Sequence, residues 1–117
     1  MIAVDWGSSS FRAYRVDAQG RVTDRRSAAR GILTVEAGGF AAVLTEEIRH
    51  WLDDEPGAVF MSGMIGSRQG WIEVPYLACP VDLAAVAIAC GTVEWATGGE
   101  SSLSRVSAAG TPTPCPT

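Results

Sequence analysis

The sequence has little of the positive charge that nucleic-acid-binding proteins carry. It contains 9 basic against 13 acidic residues, for a formal net charge of −4, and no long basic patch. A nucleic-acid partner is therefore not expected. One local group of arginines is interpreted as solvated surface: Arg21, Arg25, Arg26 and Arg30.

Long apolar runs and paired cysteines are also missing. The most apolar window, residues 83–90, is far shorter than the roughly 20 residues of a membrane-spanning helix. The N-terminus has no basic segment, and Asp5 interrupts its apolar stretch, which argues against a signal peptide. Three cysteines without CxxC spacing indicate reduced thiols: Cys79, Cys90 and Cys115. These absences predict a cytoplasmic protein that does not bind a membrane.

Few residues are available for acid-base or metal chemistry of the common kinds. His50 is the only histidine, and its place off the apolar stripe of a predicted helix favours a solvated position over a Ser-His-Asp arrangement. The sequence lacks the HExxH motif, the EF-hand loop and the P-loop phosphate motif. Metal hydrolases and P-loop enzymes are therefore not supported.

The 117 residues do contain the pattern of one small α/β domain. Short apolar runs and turn residues predict three strands of an antiparallel meander, over residues 2–4, 11–16 and 21–27. Apolar residues at helical spacing predict a helix over 40–52, and a buried strand follows at 58–61. The order of these elements predicts a mixed sheet with an antiparallel β-meander plus helices.

The most informative segment is Asp-Trp-Gly-Ser-Ser-Ser-Phe, residues 5–11. A strand delivers Asp5 to its carboxyl end, and a turn of small residues follows. Successive N–H groups in a turn make a concavity that binds anions, the serine hydroxyls add donors, and Gly7 lets the backbone approach an oxyanion. Asp5 would face an accompanying Mg²⁺ through water, because that ion dehydrates reluctantly. The alternative is an ordinary hairpin with a turn rich in Gly and Ser.

A second candidate site, residues 62–71, follows the strand at 58–61. Ligands of α/β proteins bind outside the carboxyl ends of strands, where this glycine-rich segment lies. Arg68 could hold a carboxylate or phosphate through two parallel hydrogen bonds, and Gln69 could bind a sugar hydroxyl. Trp71 could form an apolar wall. The alternative is a plain loop in which Arg68 pairs with a neighbouring acid.

Three segments together resemble the N-terminal part of the 2-dehydro-3-deoxygalactonokinases. They are IAVDWGSSSFRAYRVDAQGRV, GILTVEAGGFAAVL and SGMIGSRQGWIEVPYLACPVDLAAVA. The first is shared across the actin-like ATPase and sugar-kinase superfamily, while SGMIGSRQGW followed by PY and CP is much more specific. The resemblance implies a partial N-terminal lobe of an actin-like (ribonuclease H-like) ATPase fold. It also implies ATP- and Mg²⁺-dependent phosphorylation of 2-dehydro-3-deoxy-D-galactonate, a small-molecule sugar acid, in galactonate catabolism.

The resemblance further implies a role for individual residues. The nucleotide-phosphate side matches Asp5, Gly7, Ser8, Ser9 and Ser10, together with Arg12 at a basic position that reaches toward phosphate in similar kinases. The substrate side matches Arg68 and Gln69. The catalytic Asp of such kinases comes from a later segment, so none is assigned here and the chain is expected to be inactive alone. The alternative is a noncatalytic nucleotide- or partner-binding module that retains only the phosphate-binding hairpin.

The last part of the chain changes in composition. Residues 96–117 are mostly Ala, Thr, Gly, Ser and Pro, too little apolar surface to offset the entropy of ordering. We predict a kinase-lobe segment over 1–95 and a disordered or out-of-frame tail over 96–117. Before it, Asp82 is predicted to cap a helix over 83–89. A partial lobe would leave the 40–52 helix and the 58–61 strand partly uncovered, and self-association through that apolar surface is expected.

Overall fold

Six strands form one sheet in the computed structural model, which describes residues 1–54, 58–74, 91–96 and 103–109. The strands are β1 (Ile2–Trp6), β2 (Phe11–Val16), β3 (Val22–Ala28), β4 (Val59–Ser62), β5 (Gly91–Ala96) and β6 (Leu103–Ala109). Their order across the sheet is β3-β2-β1-β4-β6-β5. The helix α1 (Phe40–Asp54) and two short 3-10 helices, Ile32–Thr34 and Met64–Gly66, are the helical elements of the described residues.

The predicted antiparallel meander is confirmed, because β1 pairs antiparallel with β2 and β2 pairs antiparallel with β3. Asp17 opens the β2–β3 turn as its turn chemistry predicts: its carboxylate accepts the N–H groups of Gln19 and Arg21, each at 2.9 Å. After α1 the chain returns as β4, which lies parallel to both β1 and β6. The predicted α/β class with a mixed sheet is therefore confirmed.

Neither β5 nor β6 is predicted from the sequence. The two strands pair antiparallel with each other, and β6 also pairs with β4 near the middle of the sheet. β6 lies within the 96–117 segment, where its residues pair with the preceding strand β5 and with β4, which is distant in sequence. The 95/96 domain boundary and the disordered or out-of-frame tail stay predictions. The predicted helix over 83–89 and its cap Asp82 lie outside the described residues.

The core lies between α1 and one face of the sheet. Alternate residues of β1 are buried, as the two-residue period of a strand requires: Ile2, Val4 and Trp6. Leu44 and Ile48 of α1 are buried against them, and full burial of an aliphatic side chain of this size contributes about 1.5–3 kcal/mol. The Trp6 ring meets the rings of Phe11 and Phe40 edge to face, with centroids 5.0 and 5.6 Å apart.

The apolar stripe of α1 is covered, so the expectation that this helix is partly uncovered is wrong. The residues of this stripe, from Phe40 to Leu52, are buried, and they form one core cluster with buried residues of β1, β2 and β4. In contrast, Phe60 of β4 is 46% exposed. Self-association through exposed apolar surface stays a prediction. No helix among the described residues is long and apolar enough to cross a membrane.

Candidate functional site

The predicted phosphate-binding turn and the predicted substrate loop lie at the same edge of the sheet. β1 and β4 are parallel neighbours, so their carboxyl ends meet, and Asp5 lies opposite Ser62 in register. On its other side Asp5 lies opposite Arg12 of β2, and both side chains are exposed. Groups of three or more His, Cys, Asp or Glu that could hold a metal ion are absent from the described residues. Asp5 therefore belongs to no such group of three, and an exposed carboxylate of this kind suits contact with Mg²⁺ through water.

The turn after Asp5 is an open hairpin turn and not part of a helix. The Gly7 N–H donates to the Ser10 carbonyl at 2.9 Å and closes the turn. The N–H and hydroxyl groups of Ser8, Ser9 and Ser10 donate to no partner within the described part of the chain. Unpaired donors of this kind in one turn can bind an anion.

Nothing inside the described protein requires Gly7 to be a glycine. Its φ is not positive, and an added Cβ would lie no closer than 3.8 Å to its nearest neighbour, the Ser10 carbonyl oxygen. A methyl group would therefore fit in the free protein. Glycine is needed at position 7 only if a ligand approaches the backbone from outside, as the sequence predicts for an oxyanion.

The candidate substrate loop begins in close contact with the end of β1. Gly63 has φ +98°, and a Cβ there would lie 2.8 Å from the Trp6 carbonyl oxygen and 3.2 Å from a carboxylate oxygen of Asp5. Beyond it, the Ser67 hydroxyl donates to the Met64 carbonyl at 2.6 Å, and the Trp71 N–H donates to the Ile65 carbonyl at 3.0 Å. Internal hydrogen bonds thus hold the loop beside Asp5.

Arg68 and Gln69 are exposed at the tip of this loop. Arg68 forms no ion pair with any described residue, so the alternative of a neighbouring acid receives no support from that part of the chain. Trp71 stacks on Phe40 with ring centroids 6.4 Å apart and an interplanar angle of 18°. One face of Trp71 is therefore used in packing against the start of α1. The ligand roles of these residues stay predictions.

An ionic cluster between β3 and α1 is not predicted from the sequence. Arg26 donates from Nε to Glu47 at 2.6 Å, and Arg30 donates from Nη1 to Glu46 at 2.7 Å and to Glu47 at 3.2 Å. Glu47 is 8% exposed. The Arg26 and Arg30 side chains stay 45% and 38% exposed, so they lie at the surface as predicted, and what the sequence did not indicate is their pairing with Glu47. The available signal was the position of Glu47, which falls on the apolar stripe of α1.

The Glu47 contacts predict a loss of stability in acid. Burial raises the pKa of Glu47, but the hydrogen bonds and charges of Arg26 and Arg30 outweigh burial and hold the pKa below its ordinary value of 4.5. Because the pKa of Glu47 is lower in the folded state, its ionised carboxylate stabilises the fold at any pH above the ordinary pKa. This contribution is lost as the pH falls through the lowered pKa. We expect Glu47→Gln to lose about 1–2 kcal/mol of unfolding free energy at neutral pH and less in acid.

Urea unfolding of the wild type and Glu47→Gln, from neutral pH into acid, measures the effect. The pKa of Asp24 is also lowered, chiefly by the hydrogen bond from Trp51. Asp24 therefore makes the unfolding free energy fall in acid in both proteins. The matched control is Asp54→Asn, which removes an exposed carboxylate that pairs with Arg15. An equal pH dependence in the wild type and Glu47→Gln would contradict the prediction.

A groove of about 460 Å³ lies elsewhere, between β3 and the second half of α1. Six of its side chains pair with one another: Arg26 with Glu47, Arg15 with Asp54, and the Trp51 indole with Asp24 at 2.9 Å. These contacts join the sheet to the helix, so the groove is not a candidate ligand site.

Comparisons with known proteins converge on one family. The model of the 2-keto-3-deoxy-galactonokinase family matches residues 5–108. A probable 2-dehydro-3-deoxygalactonokinase of Rhizobium meliloti (strain 1021) is 36% identical over 85 residues, which cover 73% of this chain and 28% of the relative. The 2-dehydro-3-deoxygalactonokinase of Escherichia coli (strain K12) is 38% identical over 79 residues, which cover 68% of this chain and 26% of the relative.

A solved structure agrees with the sequence relatives. A Sinorhizobium meliloti protein assigned to 2-dehydro-3-deoxygalactonokinase superposes with a TM-score of 0.76 at 28% identity. The match covers 95% of this chain and 34% of that protein. The chain therefore spans 26% to 34% of the length of these relatives.

Proposed function

The chain belongs to the 2-keto-3-deoxy-galactonokinase family, and on that basis we propose that it forms the nucleotide-phosphate side of a sugar-acid kinase. The proposed reaction transfers the γ-phosphoryl group of ATP to a hydroxyl of 2-dehydro-3-deoxy-D-galactonate in the cytoplasm. The observation that carries the proposal is the turn at Ser8–Ser10, whose donors are unpaired among the described residues and lie beside the exposed Asp5.

The residues of this edge fit a magnesium-bound nucleotide. Backbone N–H groups and serine hydroxyls supply donors for phosphate oxygens, Gly7 leaves space for close approach, and Arg12 adds a positive charge on the neighbouring strand. Asp5 offers a carboxylate for waters around Mg²⁺. Bound Mg²⁺ would neutralise charge on the phosphates during transfer.

The candidate substrate loop fits the chemistry of a sugar acid. Arg68 would hold the carboxylate through two parallel hydrogen bonds, and Gln69 would bind a sugar hydroxyl. Phosphoryl transfer of this kind depends on positioning and charge stabilisation, so the contribution of these residues is to fix the acceptor relative to the phosphates. The carboxylate that orients the attacking hydroxyl would come from the part of the family length that this chain does not span.

The proposal is tested with a chimera. Residues 1–90 of this chain replace the matching segment of the Escherichia coli relative, and ATP-dependent phosphorylation of 2-dehydro-3-deoxygalactonate is measured. We expect the chimera to retain activity and the 117-residue chain alone to show none. A folded chimera without activity would favour the noncatalytic binding module, and turnover by the chain alone would contradict its expected inactivity.

Arg68→Gln in the chimera tests the substrate loop. We expect the KM for the sugar acid to rise about 10- to 100-fold, because a hydrogen bond to a charged group contributes about 1.5–3 kcal/mol. The KM for ATP should stay within about twofold, since the nucleotide is proposed to contact the Ser8–Ser10 turn and not Arg68. Arg49→Gln, on the exposed face of α1, is the charge-matched control. An unchanged KM for the sugar acid would contradict the assignment of Arg68.

A further inference from the structure

We propose that residues 30–33, which we call the brace segment, fix the direction of the N–H groups that bind phosphate. On this proposal Arg30 is a positioning residue for the anion, although it does not contact the anion. The inference rests on the proposed function, because it names what controls the same nucleotide-phosphate site.

The brace segment holds the carbonyl groups on one side of the turn. The Ile32 N–H donates to the Gly7 carbonyl at 2.9 Å, and the Leu33 N–H donates to the Ser8 carbonyl at 3.1 Å. A trans peptide unit is planar, so its N–H points opposite to its C=O. The Ser8 and Ser9 N–H groups, which share these two peptide units, therefore point away from the brace segment. Two unpaired donors are aimed in a common direction as a result.

Gly31 allows the brace segment to lie this close to the turn. Its φ of −63° is open to any residue, yet an added Cβ would overlap the backbone of Ser8. Space, and not backbone conformation, is thus what requires glycine at position 31. The turn cannot shift toward the brace segment, because the two backbones are already in contact.

Arg30 anchors the brace segment to the rest of the fold. Its carbonyl accepts the Trp6 indole N–H at 2.9 Å, next to the start of the turn. Its guanidinium pairs with Glu46 and Glu47 of α1, and Glu47 is itself held by Arg26 of β3. The backbone and side chain of Arg30 therefore join the turn to both the helix and the sheet.

Preorganised donors bind an anion without the cost of ordering the turn first. If the Arg30 side chain loses its partners, the brace segment loses its tie to α1 and holds the peptide units at Ser8 and Ser9 less firmly. The site would then keep the same donors but fix their common direction less well. The affinity for a polyphosphate should fall even though every contacting group is still present.

The test uses the full chain with Mg²⁺ and inorganic tripolyphosphate as the probe, followed by calorimetry and by the ¹H–¹⁵N shifts of Ser8 and Ser9. We expect Arg30→Gln to weaken binding about tenfold and to move both amide shifts in the probe-free protein. Arg30→Lys should recover part of the affinity because it keeps a cation near Glu46 and Glu47. Glu47→Gln, which removes one of the two acidic partners of Arg30, should weaken binding in the same direction but to a smaller extent.

Two controls separate the outcomes. Arg49→Gln removes the same charge from an exposed site and should bind tripolyphosphate like the wild type. Thermal unfolding shows whether each variant is folded at the binding temperature. A wild type that does not bind would overturn the proposed nucleotide-phosphate role, and the inference with it. A wild type that binds, with folded Arg30→Gln and Glu47→Gln variants that bind equally well and keep the Ser8 and Ser9 shifts, would overturn the positioning role alone.

Discussion

Gly31→Ala is expected to lower the free energy of unfolding by about 3 kcal/mol and to weaken tripolyphosphate binding more than tenfold. The methyl group would overlap the backbone of Ser8, and a backbone cannot yield as the end of a flexible side chain does. Either the brace segment or the turn must move, and the hydrogen bonds to the Gly7 and Ser8 carbonyls would then be strained or broken. Urea unfolding and calorimetry measure the two effects.

Gly7→Ala is the matched comparison for this prediction. Both glycines have backbone conformations that alanine adopts, but the methyl group at position 7 would meet only ordinary contacts. Its unfolding free energy should therefore stay within about 1 kcal/mol of the wild type. Equal stabilities of Gly31→Ala and Gly7→Ala would show that the close packing at Gly31 does not hold in solution.

Asp5→Asn is expected to remove the Mg²⁺ dependence of polyphosphate binding. In the wild type we expect Mg²⁺ to strengthen tripolyphosphate binding about 10- to 100-fold, because the carboxylate attracts the hydrated ion beside the phosphates. The substitution replaces the carboxylate with an amide of the same size that lacks the negative charge. Calorimetric titrations with Mg²⁺ and with excess EDTA measure the ratio of the two affinities for each protein.

Asp53→Asn controls for the change in net charge, because Asp53 is an exposed carboxylate near the end of α1. It should show the same Mg²⁺ effect as the wild type. Retention of the full Mg²⁺ effect by Asp5→Asn would remove Asp5 from the metal site. Loss of all binding, with or without Mg²⁺, would instead indicate that Asp5 is needed for the shape of the turn.

Elements that depend on neighbouring residues could be predicted from the sequence. The meander follows from short turns between short apolar runs, and α1 follows from its apolar stripe, although the helix continues two residues past the predicted end at Leu52. β5 and β6 could not be predicted, because their residues lack a strong apolar alternation and β6 is joined to the rest of the sheet by pairing with β4, which is distant in sequence. The predicted kinase-lobe fold is confirmed by the match to the solved relative.

The candidate site also has a part that could be predicted from the sequence and a part that could not. Asp5 and the turn of small residues that follows it are contiguous in the chain, so the sequence indicates their chemistry. The brace segment acts on the turn across more than twenty residues, and Arg30 acts through α1, so no local pattern reveals either. The family resemblance supplied the role of Arg12. The ligand roles of Arg68 and Gln69 were predicted from their side-chain chemistry at the end of a strand and agree with the resemblance, and all three roles stay predictions.

Titration of the ¹⁵N-labelled chain with magnesium tripolyphosphate decides whether the turn at Ser8–Ser10 binds phosphate. We expect saturable shifts of the Ser8 and Ser9 amides in the wild type, and much weaker binding by Gly7→Ala at nearly unchanged stability. Shifts absent from Ser8 and Ser9, or equal affinity in Gly7→Ala, would contradict this expectation.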